Sequence, residues 1–349
     1  MKQILKQVLG IDVAQKELVV TLGRMFNDLT IDLYAYKVFK NNGPGIVSLL
    51  KWTKSQIDND IEVRFVMEAT GVYHQKFAYY LDEKNHNLSV VLPNKISNYM
   101  RTLDTKTITD KTASRAICQF GLERNLDAWH RPRKTYKELQ QLTRERNQIV
   151  DERVVIKNQL HAENAENEPH KGSLKRMNAR IKFLNKQEKE IKKEINEIVK
   201  NDLELKKELV NICTIPGVGM LTAVTVLAET NGFELIRNKR QLTSYAGLDV
   251  REKQSGTSVK MKTKISKQGN RNLRKVMHLP SLSAVKYNET HKELYRRLVE
   301  KSGIKMKALV AVQRKLLELI YLIHKNKTTF NEDYEQEKRA AKLKMMTAL

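Results

Sequence analysis

Hydrophobic and polar positions change their period twice along the chain. Near the start, Val8-Leu9-Gly10-Ile11-Asp12-Val13 is an apolar run broken by one carboxylate. Residues 18–22 and 31–39 follow as two β-rich runs separated by polar turn residues, so three antiparallel strands are expected. The spacing of Ile46, Leu49, Leu50, Trp52 and Thr53 predicts a helix over 45–56, and Val63-Arg64-Phe65-Val66-Met67 reads as a buried strand ending at Glu68. Gly71 is expected to open a second helix through Val72, Phe77 and Leu81. A short strand over 88–92 stops at Pro93, and a helix over about 109–122 carries Asp110 near its start.

The acids in this pattern matter because a carboxylate inside an apolar strand costs several kcal/mol unless a cation compensates it. One acid at a strand end is ordinarily a cap or turn residue. Asp12, Glu68 and Asp110, however, fall on the first strand, the fourth strand and the last helix of the order strand, strand, strand, helix, strand, helix, strand, helix. That is the layout of an RNase H-like, RuvC-like α/β nuclease domain, here residues 1–130, in which the three acids converge at one sheet edge. Hard carboxylate oxygens suit Mg2+, which also takes phosphate oxygens, and a pair of such ions clamps the attacking and leaving oxygens of a phosphodiester.

From about 135 to 207 aromatic residues nearly vanish and charges alternate. Leu174, Met177, Ile181, Leu184, Ile191, Ile195, Ile198 and Leu205 keep a three-four spacing, interrupted by Glu188 and Asp202. A weaker stripe (Leu139, Leu142, Ile149, Ile156, Leu160) precedes a turn containing Pro169 and Gly172. A long antiparallel coiled-coil hairpin over 131–208 is expected, either a simple spacer or, as its only moderately apolar stripes favour, one whose seam also packs on a partner chain.

The rest, 209–330, reads as a helical domain, with a basic C-terminal tail at 331–349. Ile215-Pro216-Gly217-Val218-Gly219, between two apolar helical segments, matches the turn of a helix-hairpin-helix element. Gly217 and Gly219 there let backbone amides face a phosphate. Further on, Arg251, Lys253, Lys260, Lys262, Lys264, Lys267, Arg271, Arg274 and Lys275 are nine cations in a stretch with one acid, Glu252. Such a stretch would grip a nucleic-acid backbone. Ser255, before a glycine in this polar segment, is a loop residue or a nucleophile activated by a metal site and nearby cations.

Bulk charge sharpens the reading. With 64 Lys and Arg against 40 Asp and Glu, the formal net charge is +24, which points to a polyanionic partner. No run approaches the length of a membrane-spanning helix, and no charged-then-apolar signal opens the chain, so a cytoplasmic protein is expected. Cys118 and Cys213 have no CxxC partner, which argues against zinc or disulfide frameworks.

Together these residues resemble the DEDD transposases of the insertion-sequence one-ten family, which includes Piv-type invertases and bridge-RNA-guided recombinases. The resemblance runs through Gly10-Ile11-Asp12-Val13, Glu68-Ala69-Thr70-Gly71, Ile215-Pro216-Gly217-Val218-Gly219, Gly247-Leu248, Gln254-Ser255-Gly256 and Ile265-Ser266-Lys267-Gln268-Gly269-Asn270. It implies a RuvC-like domain, a coiled coil, and a transposase domain whose serine, matching Ser255, links covalently to a cleaved DNA strand. It further implies a composite site shared between subunits, in a dimer or tetramer assembled on a structured bridge RNA that pairs with donor and target DNA. One departure stands out: Asp-x-x-Asp is expected at the last helix of the first domain, whereas this chain has Asp110-Lys111-Thr112-Ala113. Ala113 binds no metal, Asp104 lies too far upstream, and Ser114 is a weak ligand. The competing readings are a RuvC-like nuclease or Holliday-junction resolvase in which water attacks, and a non-catalytic nucleic-acid-binding protein.

Overall fold

The computed structural model describes residues 2–332 except Asn59, Thr70, residues 104–106, Leu235, Lys253, residues 256–258 and residues 261–262; for Ser255, Val259 and Lys260 it gives the backbone alone. Its contacts divide the chain into two compact units, Met1–Arg131 and Pro132 onward.

In the first unit, β1 (Ile4–Val13), β2 (Glu17–Phe26) and β3 (Ile31–Lys40) form an antiparallel meander, because turns of a few residues suffice to reverse the chain. Parallel pairing needs crossovers. Accordingly α1 (Gly43–Gln56) leads to β4 (Val63–Glu68), parallel to β1, and α2 (Gln75–Glu83) leads to β5 (Leu88–Val91), parallel to β4. The sheet order is β3-β2-β1-β4-β5, and α3 (Pro93–Met100) and α4 (Asp110–Glu123) complete the unit. The second helix begins at Gln75 rather than at Gly71, whose φ of +53° belongs to a turn.

Alternation along the strands sorts two cores. Leu9, Ile11, Leu18, Val20, Leu22, Phe65 and Met67 meet Ile46 and Leu49 of α1 and Phe77 and Leu81 of α2. Val8 and Val66 face the other way, onto Ile96, Ile117, Cys118 and Leu122. Here α4 lies backbone-close on β1, since a Cβ at Gly10 would stand 2.2 Å from the Cys118 backbone nitrogen. The Lys6 ammonium donates to the Gly121 and Arg124 carbonyls (2.5 and 2.8 Å), placing a cation at the C-terminal end of α4.

The second unit opens with a helical hairpin, α5 (Lys134–Asn164) and α6 (Lys171–Asn201). At 1.5 Å per residue, the second arm is about 46 Å long. Leu184, Ile191, Ile195 and Val199 are buried in the same core cluster as Leu139, Ile149 and Ile156. Both interruptions of the apolar stripe have physical causes. Glu188 is a buried acid ringed by Arg146 (2.9 Å), Lys192 (2.9 Å) and Arg153. Burial alone would raise its pKa, but hydrogen bonds from Lys192, Arg153 and Arg146 hold it down to about 2. Asp202 ends the rod, because it caps α7 (Leu203–Cys213) by accepting from the Leu205 amide at 3.0 Å. The expected continuous stripe to Leu205 therefore belongs to two helices.

The chain continues through α8 (Met220–Thr230), α9 (Lys239–Tyr245), and four two-residue strands, β6 (Val250–Arg251), β7 (Gln254–Ser255), β8 (Val259–Lys260) and β9 (Lys264–Ile265). Then follow α10 (Arg271–Val276), α11 (His278–Tyr287), α12 (Glu289–Ser302) and the apolar α13 (Lys305–Asn326). Leu205, Leu209 and Ile212 of α7 share one core with Leu139 of α5, Val224 of α8 and Leu316 and Ile320 of α13, so no break falls at 208. Most of the tail, 333–349, lies outside the described residues. Over 331–349 four cations meet four acids, so by composition it is not basic. No helix among the described residues is long and apolar enough to cross a membrane.

Candidate functional site

The register of β1 and β4 brings two of the three acids together. Ile11 pairs with Met67 in parallel, so the next step along both strands sets Asp12 beside Glu68, about one strand spacing, 4.8 Å, apart. Alternation fixes their direction: Asp12 shares the face of Val8 and Gly10, and Glu68 that of Val66, the face covered by α4. Asp110 opens that helix, behind a Thr109 cap whose hydroxyl accepts from the Thr112 amide. An acid in a first helical turn is stabilised by the helix dipole whatever its function, so its charge effect on Asp12 is the informative fact.

Asp12 senses the other two acids. Asp12 is pushed up from 3.8 to about 6, chiefly by burial and then by the like charges of Asp110 and Glu68, against a backbone hydrogen bond from Val13 that lowers it. Among the described residues, no group of three or more His, Cys, Asp or Glu side chains is gathered closely enough to hold a metal ion unaided. Such a cage is more than Mg2+ requires, because that ion is usually held by one or two carboxylates, with water and substrate phosphate completing its shell. The hard oxygen donors and the unrelieved charge at Asp12 fit a divalent cation on those terms.

Three residues on from Asp110 stands Ala113, and among the described residues the first turn of α4 carries no acid besides Asp110. Ser114 is fully buried, exchanging a 2.9 Å hydrogen bond with Thr21 and donating to the Lys111 carbonyl, and so is committed to holding α4 on β2. Asp104 lies outside the described residues.

In the second unit, Gly217 has φ +89°, and a Cβ there would press on Pro280 and Ser283 of α11 at 2.9 Å, so its glycine serves packing. Gly219 is the cap residue of α8, with no side-chain cap bond and open space where a Cβ would stand, as an exposed amide end requires. Ser255 lies in β7, its Cα opposite Val259. Nearer the ribbon's base, β6 and β9 pair Arg251 directly with Lys264, both exposed. Like charges placed opposite each other destabilise a ribbon, and a polyanion lying across it would remove that cost. Lys267 and Arg271 are exposed as well. Arg274 instead donates to the Ala246 and Gly269 carbonyls (2.7 and 3.2 Å), and Lys275 pairs with Asp151 at 2.5 Å, so these two cations have internal partners. Lys253, Lys262, Ser258 and the Lys260 side chain lie outside the described residues. Ser266 donates to Asp249 at 2.5 Å, a staple at the ribbon's base.

Sequence reading missed the node that anchors this ribbon. The fully buried Glu229 carboxylate receives both arms of Arg144 (2.8 Å each), Asn270 (2.7 Å) and Asn272 (2.8 Å), while the Tyr245 hydroxyl donates to the Glu229 carbonyl (3.0 Å). Burial would raise the pKa of Glu229, and these donors hold it below the usual carboxylate range. An acid inside the apolar run of 220–230 was the available signal.

Comparison with known proteins fits both units. A DEDD-type transposase family model of the IS110 group matches residues 9–163, and a second, described as "Transposase IS116/IS110/IS902 family", matches residues 210–296. The pilin gene-inverting proteins of Moraxella lacunata and Moraxella bovis are each 26% identical over 330 residues, covering 94% of this chain and 98% of their own. Among solved structures, T. thermophilus RuvC in complex with Holliday junction substrate matches 32% of this chain and 90% of its own, at 13% identity and a TM-score of 0.24, too low to support any argument. With both family models matching in tandem and the pilin gene-inverting relatives aligned almost end to end, the chain is similar to the IS110-group transposases along most of its length, a likeness that indicates a DNA transposase or recombinase.

Proposed function

We propose that this transposase cleaves and rejoins DNA strands through a covalent phosphoserine at Ser255, with Asp12, Glu68 and Asp110 of a RuvC-like domain holding Mg2+. The supporting observation is the side-by-side placement of Asp12 and Glu68 on the face under α4, with Asp12 carrying charge strain that a cation would relieve. When bound, the ion supplies positive charge against the phosphate oxygens. In the covalent step the Ser255 oxygen bonds to phosphorus, the bond from phosphorus to one deoxyribose oxygen breaks, and the hydroxyl proton passes to that leaving oxygen. Rejoining reverses this exchange with a new strand end.

Arg251, Lys264, Lys267 and Arg271, with Lys253, Lys260 and Lys262, hold strand phosphates in this reading. So do the amides after Gly219, if α7, residues 214–219 and α8 act as a helix-hairpin-helix element. A structured bridge RNA pairing with both DNAs, and assembly as a dimer or tetramer through a coiled-coil hairpin, complete the proposal and rest on the family resemblance.

The test is a denaturing gel with labelled DNA carrying the element's ends. A protein–DNA adduct stable to boiling is expected from the wild type. Ser255→Ala should bind the same DNA yet form no adduct, because phosphate contacts dominate affinity and the hydroxyl oxygen alone can form the ester. Free nicked product without adduct would replace this reading by a metal-dependent nuclease, and absence of any cleavage by a binding protein.

A further inference from the structure

Beside the acids, the edge strand carries an exposed apolar strip that no step above uses. Register runs from β1 through β2 to β3: Gly10 pairs with Thr21 and Thr21 with Tyr36, while Asp12 pairs with Val19 and Val19 with Val38. Tyr36 and Val38 therefore stand on the same sheet face as Asp12, two strands or about 10 Å away. Tyr36 is 41% exposed and Val38 42%. The Lys111 ammonium lies 5.0 Å from the centre of the Tyr36 ring, and Lys111 directly follows Asp110. A tyrosine serving only to seat α4 would bury its ring. This ring instead shows a large surface, held in place by a cation that borders the acids.

An aromatic ring beside a lysine, next to a phosphate-binding site, suits a nucleobase, since bases stack on aromatic side chains whatever their sequence. We propose that Tyr36, flanked by Val38 and Lys111, is a stacking platform for a base of the DNA strand engaged by Asp12, Glu68 and Asp110. The proposal rests on the acids being the strand-cleavage site. Its occupant is DNA because DNA is this enzyme's substrate, and the exposed Lys111 and Lys40 on this part of the unit match a polyanion.

The experiment is photocrosslinking of the full-length protein to a single-stranded oligodeoxynucleotide carrying 5-iododeoxyuridine, with the attachment site mapped by mass spectrometry. A crosslink at Tyr36 is expected. Tyr36→Phe should keep a crosslink at position 36 and Tyr36→Ala should lose it, with KM for the strand rising about 5- to 150-fold, the scale of one lost base stack, while circular dichroism stays unchanged. Asp12→Asn should still crosslink although it does not cleave. If Asp12→Asn cleaved normally, the acid-site reading would fall while the crosslink still reported on the platform. Crosslinks confined to other residues, equal crosslinking in Tyr36→Ala, or capture of a 5-iodouridine RNA in preference to the DNA would overturn the proposal. So would a fall in oligomeric mass in Tyr36→Ala, which would assign the strip to a second copy of the chain.

Discussion

Asp12→Asn should stabilise the metal-free protein at neutral pH while abolishing strand cleavage. The folded chain holds the Asp12 proton up to about pH 6, against an ordinary value of 3.8, because the carboxylate is half-buried and feels the like charges of Asp110 and Glu68. That difference corresponds to about 3 kcal/mol between protonation states. Since the folded pKa is the raised one, the stabilising contribution is fully present below about pH 4 and is lost as pH climbs through 6. An asparagine has the same shape and no charge to lose. The variant should therefore unfold like the wild type at pH 4 and be more stable at pH 7.5 by about 1 to 2 kcal/mol, because solvent screening at a half-buried carboxylate takes back part of the full difference. Tryptophan fluorescence in urea is the natural assay, because both tryptophans, Trp52 and Trp129, lie in the first unit and report on it alone. Adding Mg2+ at pH 7.5 should raise the wild-type midpoint and leave the variant's unchanged, because a ligand that binds the folded state stabilises it by mass action. A variant no more stable than wild type at pH 7.5, or one with the same loss between pH 4 and 7, would refute the claim that like charges strain this site.

Two further outcomes are expected in the second unit. Arg144→Ala should destabilise it by about 3 kcal/mol or more, since Glu229 is left buried without its ionic partner, whereas Glu229→Gln, which keeps amide hydrogen bonds, should cost less; helix circular dichroism in guanidinium would rank them. Assembly should be probed at outward residues, because Ile191 and Ile195 are buried within the chain's own seam: Val155→Glu with Phe183→Glu, at positions 54% and 60% exposed, should lower the oligomeric mass in light scattering without loss of helicity.

Strand alternation and helix spacing are local properties, and they sufficed to read the five strands of the first unit, three of its helices and the helical hairpin directly from residues, but not α3 or the short strands β6 to β9. Asp12 and Glu68 stood out as candidates for the same reason, since a carboxylate at the end of an apolar strand is costly enough to be conspicuous. The residues that bind elements together were not. Gly10 looked like part of a motif, and only the stacking of α4 on β1 made it the point of backbone approach that sets Asp110 near Asp12. Glu188 and Asp202 both broke a stripe in sequence, yet one is a buried ion cluster and the other a helix cap, a distinction made by the facing arm and by the chain's turn. Arg274 and Lys275 counted as free cations until their partners, distant in sequence, were in view. Composition and period state what a residue prefers to do; which partner it meets depends on contacts across tens of residues, and those exist only once the tertiary fold has formed.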